Sequence, residues 1–333
     1  MLVRCSAWAE VDRAQEAARE LLRLAEEQDD VAGQVMAHRA LGDSLLHVGR
    51  LSPARAHLEE ALSLFGRDAL PVIVGEEIGV AALAFLSLCL AALGFPAAAA
   101  ARSDEALERA RRKMRHPHTL AFALNVDCRL QWILRNPRRL QESSEELSLL
   151  AAEHRLKYIG AQGAVYRGCA LALAGRFAEA VFLLEEGVAG VRATGAVWLL
   201  PFNRSALVIA YQRTGSLEEA RSVLDEALEL MRQTRVEWNK AELQRLEADL
   251  TLLAAVPNLD LAEASLRQAI TTAQQQGAKW WELRAATNLA RLWYHQGRRA
   301  EAGDVLVPIY SWFTEGFDTP DLKEAKALLD ELG

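Results

Sequence analysis

The residues best equipped for chemistry in this chain are aromatics that recur at a regular interval, with arginines on the helix faces of the last repeats. Tyr158, Trp198, Trp238 and Trp280 follow one another at spacings of 40, 40 and 42 residues, each just ahead of an apolar helical pattern. At about 100° per residue, Arg284, Thr287, Arg291 and Tyr294 share a helix face with Trp280. The corresponding stripes of earlier copies carry Gln162, Val165 and Cys169, then Phe202, Ser205, Ile209 and Gln212, then Glu242, Arg245, Asp249 and Leu252. Aromatic faces and guanidinium forks recognise peptides and anions without making or breaking bonds. The expected binding set is therefore Tyr158, Trp198, Phe202, Trp238, Arg245, Trp280, Arg284, Arg291 and Tyr294, suited to an acidic peptide tail or an anionic small molecule. The same recurrence would arise if each aromatic stapled the start of its helix to the preceding repeat, so packing and binding both stay open. Trp281, which lies nearer Ala285 and Leu292, and Trp293, on the side of Leu289 and Ala290, read as core.

Other chemistry is hard to assemble from these residues. Cys5, Cys89, Cys128 and Cys169 are far apart and form no C-x-x-C pair, so they read as buried free thiols in a reducing cytoplasm. His116 and His118 flank Pro117, but two histidines alone make a poor metal site, and His38, His47, His57, His154 and His295 are dispersed. The run "ERARRKMRHPH" (108–118) reads as a solvated helix end. There is no H-E-x-x-H, no G-x-S-x-G and no G-x-x-x-x-G-K-[ST]. The expectation is no catalytic residue, no metal and no cofactor. A net charge of −7 argues against nucleic acid as the main partner. The most apolar stretch, "VAALAFLSLCLAALGFPAAAAA", is broken by Gly94 and Pro96 and reads as a buried helix and turn, not a membrane span.

What must position the aromatics is a repeat that runs the length of the chain. It reads as a helix, a Gly turn and a second helix with small residues at fixed offsets, as in "LGDSLLHVGRLSPARAHLEEAL" and "LVIAYQRTGSLEEARSVLDEAL". The turns fall at Gly49, Gly94, Gly175, Gly215 and Gly297, where Gly accepts the left-handed conformation that ends a helix. A small residue (Ala54, Ala99, Ala180, Ala220, Ala264, Ala302) follows, where two helices must approach closely. Two weaker copies replace the Gly turn by Asn136-Pro137 and by a longer turn around Pro257. The period is about 41 residues, and no helix pair of this kind buries its apolar face alone. The first three repeats carry Ala32, Glu77 and Thr119 where the later four carry the aromatic.

The turn with its following small residue resembles the tetratricopeptide repeat, in a variant longer than that family's usual 34 residues. The segment "QQQGAKWWELRAATNLARLWYHQGRRAEAGDVLVPIYSWFTEGFDTPDLKEAKALLDEL" is similar to the end of large bacterial proteins. Those proteins join a class III adenylate/guanylate cyclase domain, a STAND-type ATPase and a tetratricopeptide region. "VMAHRALGDSLLHVGRLSPARAHLEEALSLF" and "RSDEALERARRKMRHPHTLAFAL" resemble earlier parts of the same region. The resemblance implies an all-α, right-handed solenoid of helical hairpins, with the polar stripe of each first helix facing a concave groove. It implies a regulatory or sensor arm that binds a protein or peptide, with association to a cyclase or ATPase module, and not the enzyme itself. A small-molecule sensor is the alternative. The expected organisation is one solenoid over 1–333: a half-repeat over 1–30, about seven helix pairs over 31–316, and a closing helix over 317–333. The opening half-repeat implies either a late start within a longer protein or a makeshift cap. At the far end, Thr319, Pro320 and Asp321 carry the signals of a helix start.

Overall fold

The computed structural model describes residues 11–65, 72–73, 76–112 and 117–333. Cys5 and residues 113–116 of the basic run, His116 among them, lie outside the described residues. Helix α1 (Val11–Glu27) precedes seven helix pairs. These are α2 (Val31–His47) with α3 (Leu51–Phe65), α4 (Ile78–Leu93) with α5 (Pro96–Arg112), and α6 (Pro117–Ile133) with α7 (Pro137–Glu153). There follow α8 (Lys157–Leu173) with α9 (Phe177–Ala193), α10 (Leu200–Thr214) with α11 (Leu217–Thr234), and α12 (Lys240–Leu253) with α13 (Leu259–Gln276). The last pair is α14 (Lys279–His295) with α15 (Arg299–Trp312), and α16 (Pro320–Leu332) closes the chain. Between α3 and α4, strand β1 (Val72–Ile73) pairs antiparallel with β2 (Glu76–Glu77), Val72 opposite Glu77.

The fold is the tetratricopeptide-like superhelix that the repeat implies. First helices of successive pairs touch one another (α2 and α4, α4 and α6, on to α12 and α14), so they line the inside and the second helices form the outside. The small residue in the fourth position of each second helix is fully buried at Ala54, Ala99, Ala180, Ala220 and Ala302, and Leu140 takes that place in α7. The sixth pair departs from the expected count. Asn258 caps α13 by accepting from Leu261 N at 3.0 Å, so the fourth helical residue is Ala262, buried, while Ala264 is exposed. The longer turn around Pro257 shifted the register by two. In the third pair the left-handed residue is Arg135 (φ 54°), and Asn136 serves as the N-cap of α7. Thr319 occupies the N-cap position of α16, but its hydroxyl donates backwards to Gly316 O at 2.6 Å.

The superhelix closes on itself after about one turn, which the repeat pattern alone does not reveal. Glu237 N and Trp238 N, ahead of α12, donate to His47 O at 2.8 and 3.2 Å. Arg284 Nη2, on α14, donates to Ile133 O at 2.6 Å. Both acceptors are carbonyls at the C-terminal end of an early first helix, which helical geometry leaves without a partner inside the helix. At the other end of a helix, Glu315 Oε1 accepts from Ala97 N and Ala98 N at 2.9 and 3.1 Å, capping α5 from the far end of the chain. Helix α4 therefore packs against α2, α3, α5, α6 and also α14. Every one of its residues is buried, which accounts for the most apolar stretch of the sequence. No helix among the described residues is long and apolar enough to cross a membrane.

Candidate binding groove

The inner faces of α8, α10, α12 and α14, with the α6–α7 turn and α16, enclose a groove of about 940 Å³. Its apolar wall includes Phe202, Ile209, Leu252 and Trp281, and its polar wall includes Glu242, Arg245, Asp249, Arg284, Asn288 and Asp321. Each inner helix contributes residues at helical spacing: Phe202, Ser205, Ile209 and Gln212 from α10, then Glu242, Arg245, Asp249 and Leu252 from α12. These two stripes are the ones the sequence periodicity assigns to the groove.

The charges are knitted together. Arg245 donates through Nε and Nη2 to Glu242 at 2.9 and 2.8 Å, and through Nη1 to Asp249 at 2.5 Å. Asn288 Nδ2 donates to the other Asp249 oxygen at 2.8 Å. Arg284 grips Asp321 through Nε and Nη2 at 2.7 and 3.0 Å, with Glu242 3.5 Å from its Nη1. Arg135 reaches Glu324 at 2.7 Å and lies 3.7 Å from Asp321. Burial pushes the Glu242 carboxyl up, but Arg245 and Arg284 more than offset this and hold it below the ordinary carboxylate range. Burial and the nearby Glu242 charge raise Asp249, against the pull of Arg245. Arg245 and Arg284 stay charged, since burial is outweighed by their carboxylate partners. The groove arginines thus belong to an alternating ladder of both signs. Arg291 is exposed at its edge, where its guanidinium meets Asn288 Oδ1 at 3.5 Å.

The aromatic column divides. Of the nine expected binding residues, Phe202, Arg245, Arg284 and Arg291 line the groove. Trp280 does not. It is fully buried with its ring 5.9 Å from Phe313 at the end of α15, so the binding face assigned to it is a packing face. Trp281 is the tryptophan that lines the groove, with the Arg284 guanidinium 5.1 Å over its ring. The reason lies in the antiparallel pairing of α14 with α15, which presents the end of α15 to the start of α14. The groove stripe of α14 is therefore Trp281, Arg284, Asn288 and Arg291. Trp238 is buried beneath the floor, between Phe202 (5.0 Å) and Trp281 (6.3 Å). Tyr294 lies outside the groove lining, under Arg299 at 5.2 Å. Trp293 is buried as expected, its Nε1 donating to Glu263 at 2.9 Å.

Tyr158 and Trp198 are half-buried, and neither lines the groove. Trp198 meets His47 edge-on at 4.8 Å and has the Arg129 guanidinium 5.3 Å over its ring. Tyr158 accepts from Gln162 Nε2 at 3.1 Å, and burial raises its hydroxyl to about 12.

Asn288 and Trp281 were legible in principle, at one turn either side of Arg284. Arg135 arrives only through closure, from an element distant in sequence, while Asp321 and Glu324 come from α16, which packs on α14 and α15. Elsewhere, His38 and His57 are brought together, Nδ1 to Nδ1 at 2.9 Å, although nothing in their spacing links them. Among the described residues no group of three or more His, Cys, Asp or Glu is placed to hold a metal ion. Cys89, Cys128 and Cys169 are buried free thiols, and burial pushes Cys89 up to about 12. Arg109 pairs with Glu77 and lies 4.2 Å over Phe65, while Arg111 reaches Glu146 at 2.7 Å, so this part of the basic run is ion-paired.

Comparison with known proteins supports the architecture. No protein-family model matches the chain. A curated relative, an uncharacterized protein of Rhizobium meliloti (strain 1021), is 27% identical over 186 residues, which are 56% of this chain and only 18% of that protein. Among solved structures, a Rap protein complexed with competence and sporulation factor is similar over 99% of this chain and 95% of its own, with TM-score 0.61 and 12% identity. Aspartyl phosphate phosphatase F from Bacillus subtilis aligns over 87% of this chain and 73% of its own, with TM-score 0.56 and 10% identity. The apo form of RapI aligns over 89% and 99%, with TM-score 0.53 and 10% identity. At such identities the likeness is one of fold: a tetratricopeptide-like superhelix.

Proposed function

We propose that the chain is a non-catalytic scaffold that binds a peptide, or an extended segment of a partner protein, in the groove between α8 and α14. The observation that carries this reading is the groove itself. Apolar side chains (Phe202, Ile209, Leu252) sit beside a ladder of both charge signs carried by α12, α14 and α16. An extended chain that threads such a surface finds an apolar pocket and a hydrogen-bonding group at each repeat. The Rap structure supports the reading, since its fold spans this whole chain and it was solved in complex with a factor. Selection of displayed peptides against the full chain tests it, and failure to enrich any sequence would count against it.

A small-molecule sensor is the second reading, favoured by one number. A groove of about 940 Å³ lies within the range, about 300–1,000 Å³, of sites for small ligands. Calorimetry against nucleotides and common metabolites separates the two, because a peptide scaffold should give no heat with any of them.

The finer assignment is a regulatory arm of the cyclase–ATPase–tetratricopeptide type. Two things support it: the resemblance of the C-terminal segment, and a curated relative in which the shared 186 residues make up 18% of the length. An antibody against this segment should then detect a product much larger than the 36.7 kDa of this chain.

A further inference from the structure

Arg129, on α6, is a buried cation without a counter-ion. It is 1% exposed, and its Nε and Nη2 have no hydrogen-bond partner. Among the described residues no carboxylate pairs with it, in contrast to Arg245 and Arg284 in the groove. The Trp198 ring centre lies 5.3 Å from its guanidinium carbon, and two phenols on α8, Tyr158 and Tyr166, are close enough to feel its charge. The Tyr166 hydroxyl is buried beside the guanidinium and interacts with it, but makes no well-formed hydrogen bond. The phenols are neutral at ordinary pH, since burial raises both, so they offer hydroxyl protons and no compensating charge. A desolvated guanidinium with two open donors is strongly disfavoured unless an anion completes it.

The site adjoins the groove. Trp132 lines the groove and lies three residues beyond Arg129 on α6, about 4.5 Å along the axis. Phe202 lines it one turn beyond Trp198. Tyr158 and Trp198, half-buried, are the members of the site that reach solvent.

We propose that Arg129, with the hydroxyls of Tyr158 and Tyr166 and the face of Trp198, forms an anion subsite that receives a carboxylate group of the groove's ligand. This rests on the groove reading above and names one chemical feature of the ligand. The planar fork of Arg129 presents Nε and Nη2 on one edge, the pair that meets both oxygens of a carboxylate. Trp198 covers that fork from one side, its ring centre 5.3 Å from the guanidinium carbon.

The test reads the Arg129 Nε–H signal by NMR, assigned by its absence in Arg129→Lys, while sodium acetate is titrated into the full chain. Acetate should move the signal and raise the melting temperature of the wild type. In Arg129→Met the response to acetate should fall by roughly tenfold or more, while the anion-free protein melts higher than the wild type, because an uncompensated buried charge has gone. A signal unmoved by acetate overturns the proposal, as does an Arg129→Met that melts lower and still responds to acetate. Inorganic phosphate, titrated alone, separates the sources: a response to phosphate with none to acetate overturns the carboxylate assignment. Movement by acetate with no peptide enriched in selection leaves the subsite standing and removes the peptide reading. Enriched peptides with a still signal under both anions do the reverse.

Discussion

A Cβ atom on Gly94 would lie 2.7 Å from Cζ3 of Trp312, because the turn of the second helix pair is pressed against the end of the seventh. Gly94 also has φ 96°, so two separate demands meet at one residue. One is local, the left-handed backbone that ends α4. The other is the approach of the next superhelical turn. Gly215 has φ 83° and nothing within 4 Å of a Cβ placed there, so it carries the local demand alone.

Comparing Gly94→Ala with Gly215→Ala therefore isolates the contact between turns. Both lose roughly 1–2 kcal/mol to the left-handed backbone. Gly94→Ala should lose about a further 1–3 kcal/mol as Trp312 and Lys279 are displaced. Chemical denaturation of the two variants reads the difference. Equal losses would mean that the superhelix is open at this point.

Trp280→Ala should destabilise the chain by about 3–5 kcal/mol, the usual loss for a large buried aromatic. Its ring packs on Phe313 and does not reach the groove, so affinity for a selected peptide, measured well below the melting temperature, should be little changed. Trp281→Ala removes part of the groove wall, and both stability and affinity should fall. A Trp280→Ala protein of wild-type stability and lost affinity would return that side chain to the groove.

The rhythm of helices was legible because its determinants are local. A left-handed residue ends each first helix, and a small residue three places into the second lets the pair close. Where the local signal blurred, at the long turn around Pro257, the count slipped from Ala262 to Ala264. The role of the aromatic column was not legible, since packing and binding demand the same residue in the same register. For Trp198, what separates them is which repeats meet after a full superhelical turn, since its ring meets that of His47. No pattern within one repeat encodes that. The same holds for Asp321, which looks like a favourable first-turn acid in α16 and is in fact the partner of Arg284.

Arg284→Met should lose about 3–5 kcal/mol, because Asp321, 6% exposed, would be left buried against only the longer contact with Arg135. Adding Asp321→Asn should restore much of that loss. The double-mutant cycle over these two positions measures their coupling, and additive losses would contradict the pairing.

Acid should weaken the first helix pair. Burial lowers both His38 and His57 below their ordinary 6.5, against nearby Glu60 and Glu26 at His38 and with Arg19 adding to the effect at His57. The folded state thus favours the neutral rings, whose Nδ1 atoms are 2.9 Å apart. Their contribution is intact above the unfolded value and is lost as pH falls through it toward the lower folded values. The melting temperature should drop below about pH 6.5, and His57→Gln should flatten that drop. An unchanged slope in the variant would assign the acid sensitivity elsewhere.

The groove is the central claim, and equilibrium titration of a selected peptide tests it most directly. The full chain would be compared with Leu252→Glu, which places a charge on the apolar wall, and with Leu149→Glu on the outer face, where the side chain is 73% exposed. The groove account predicts affinity lower by roughly tenfold or more for Leu252→Glu, with circular dichroism unchanged, and wild-type affinity for Leu149→Glu. Equal affinity for all three proteins would place the peptide somewhere other than this groove and contradict the account.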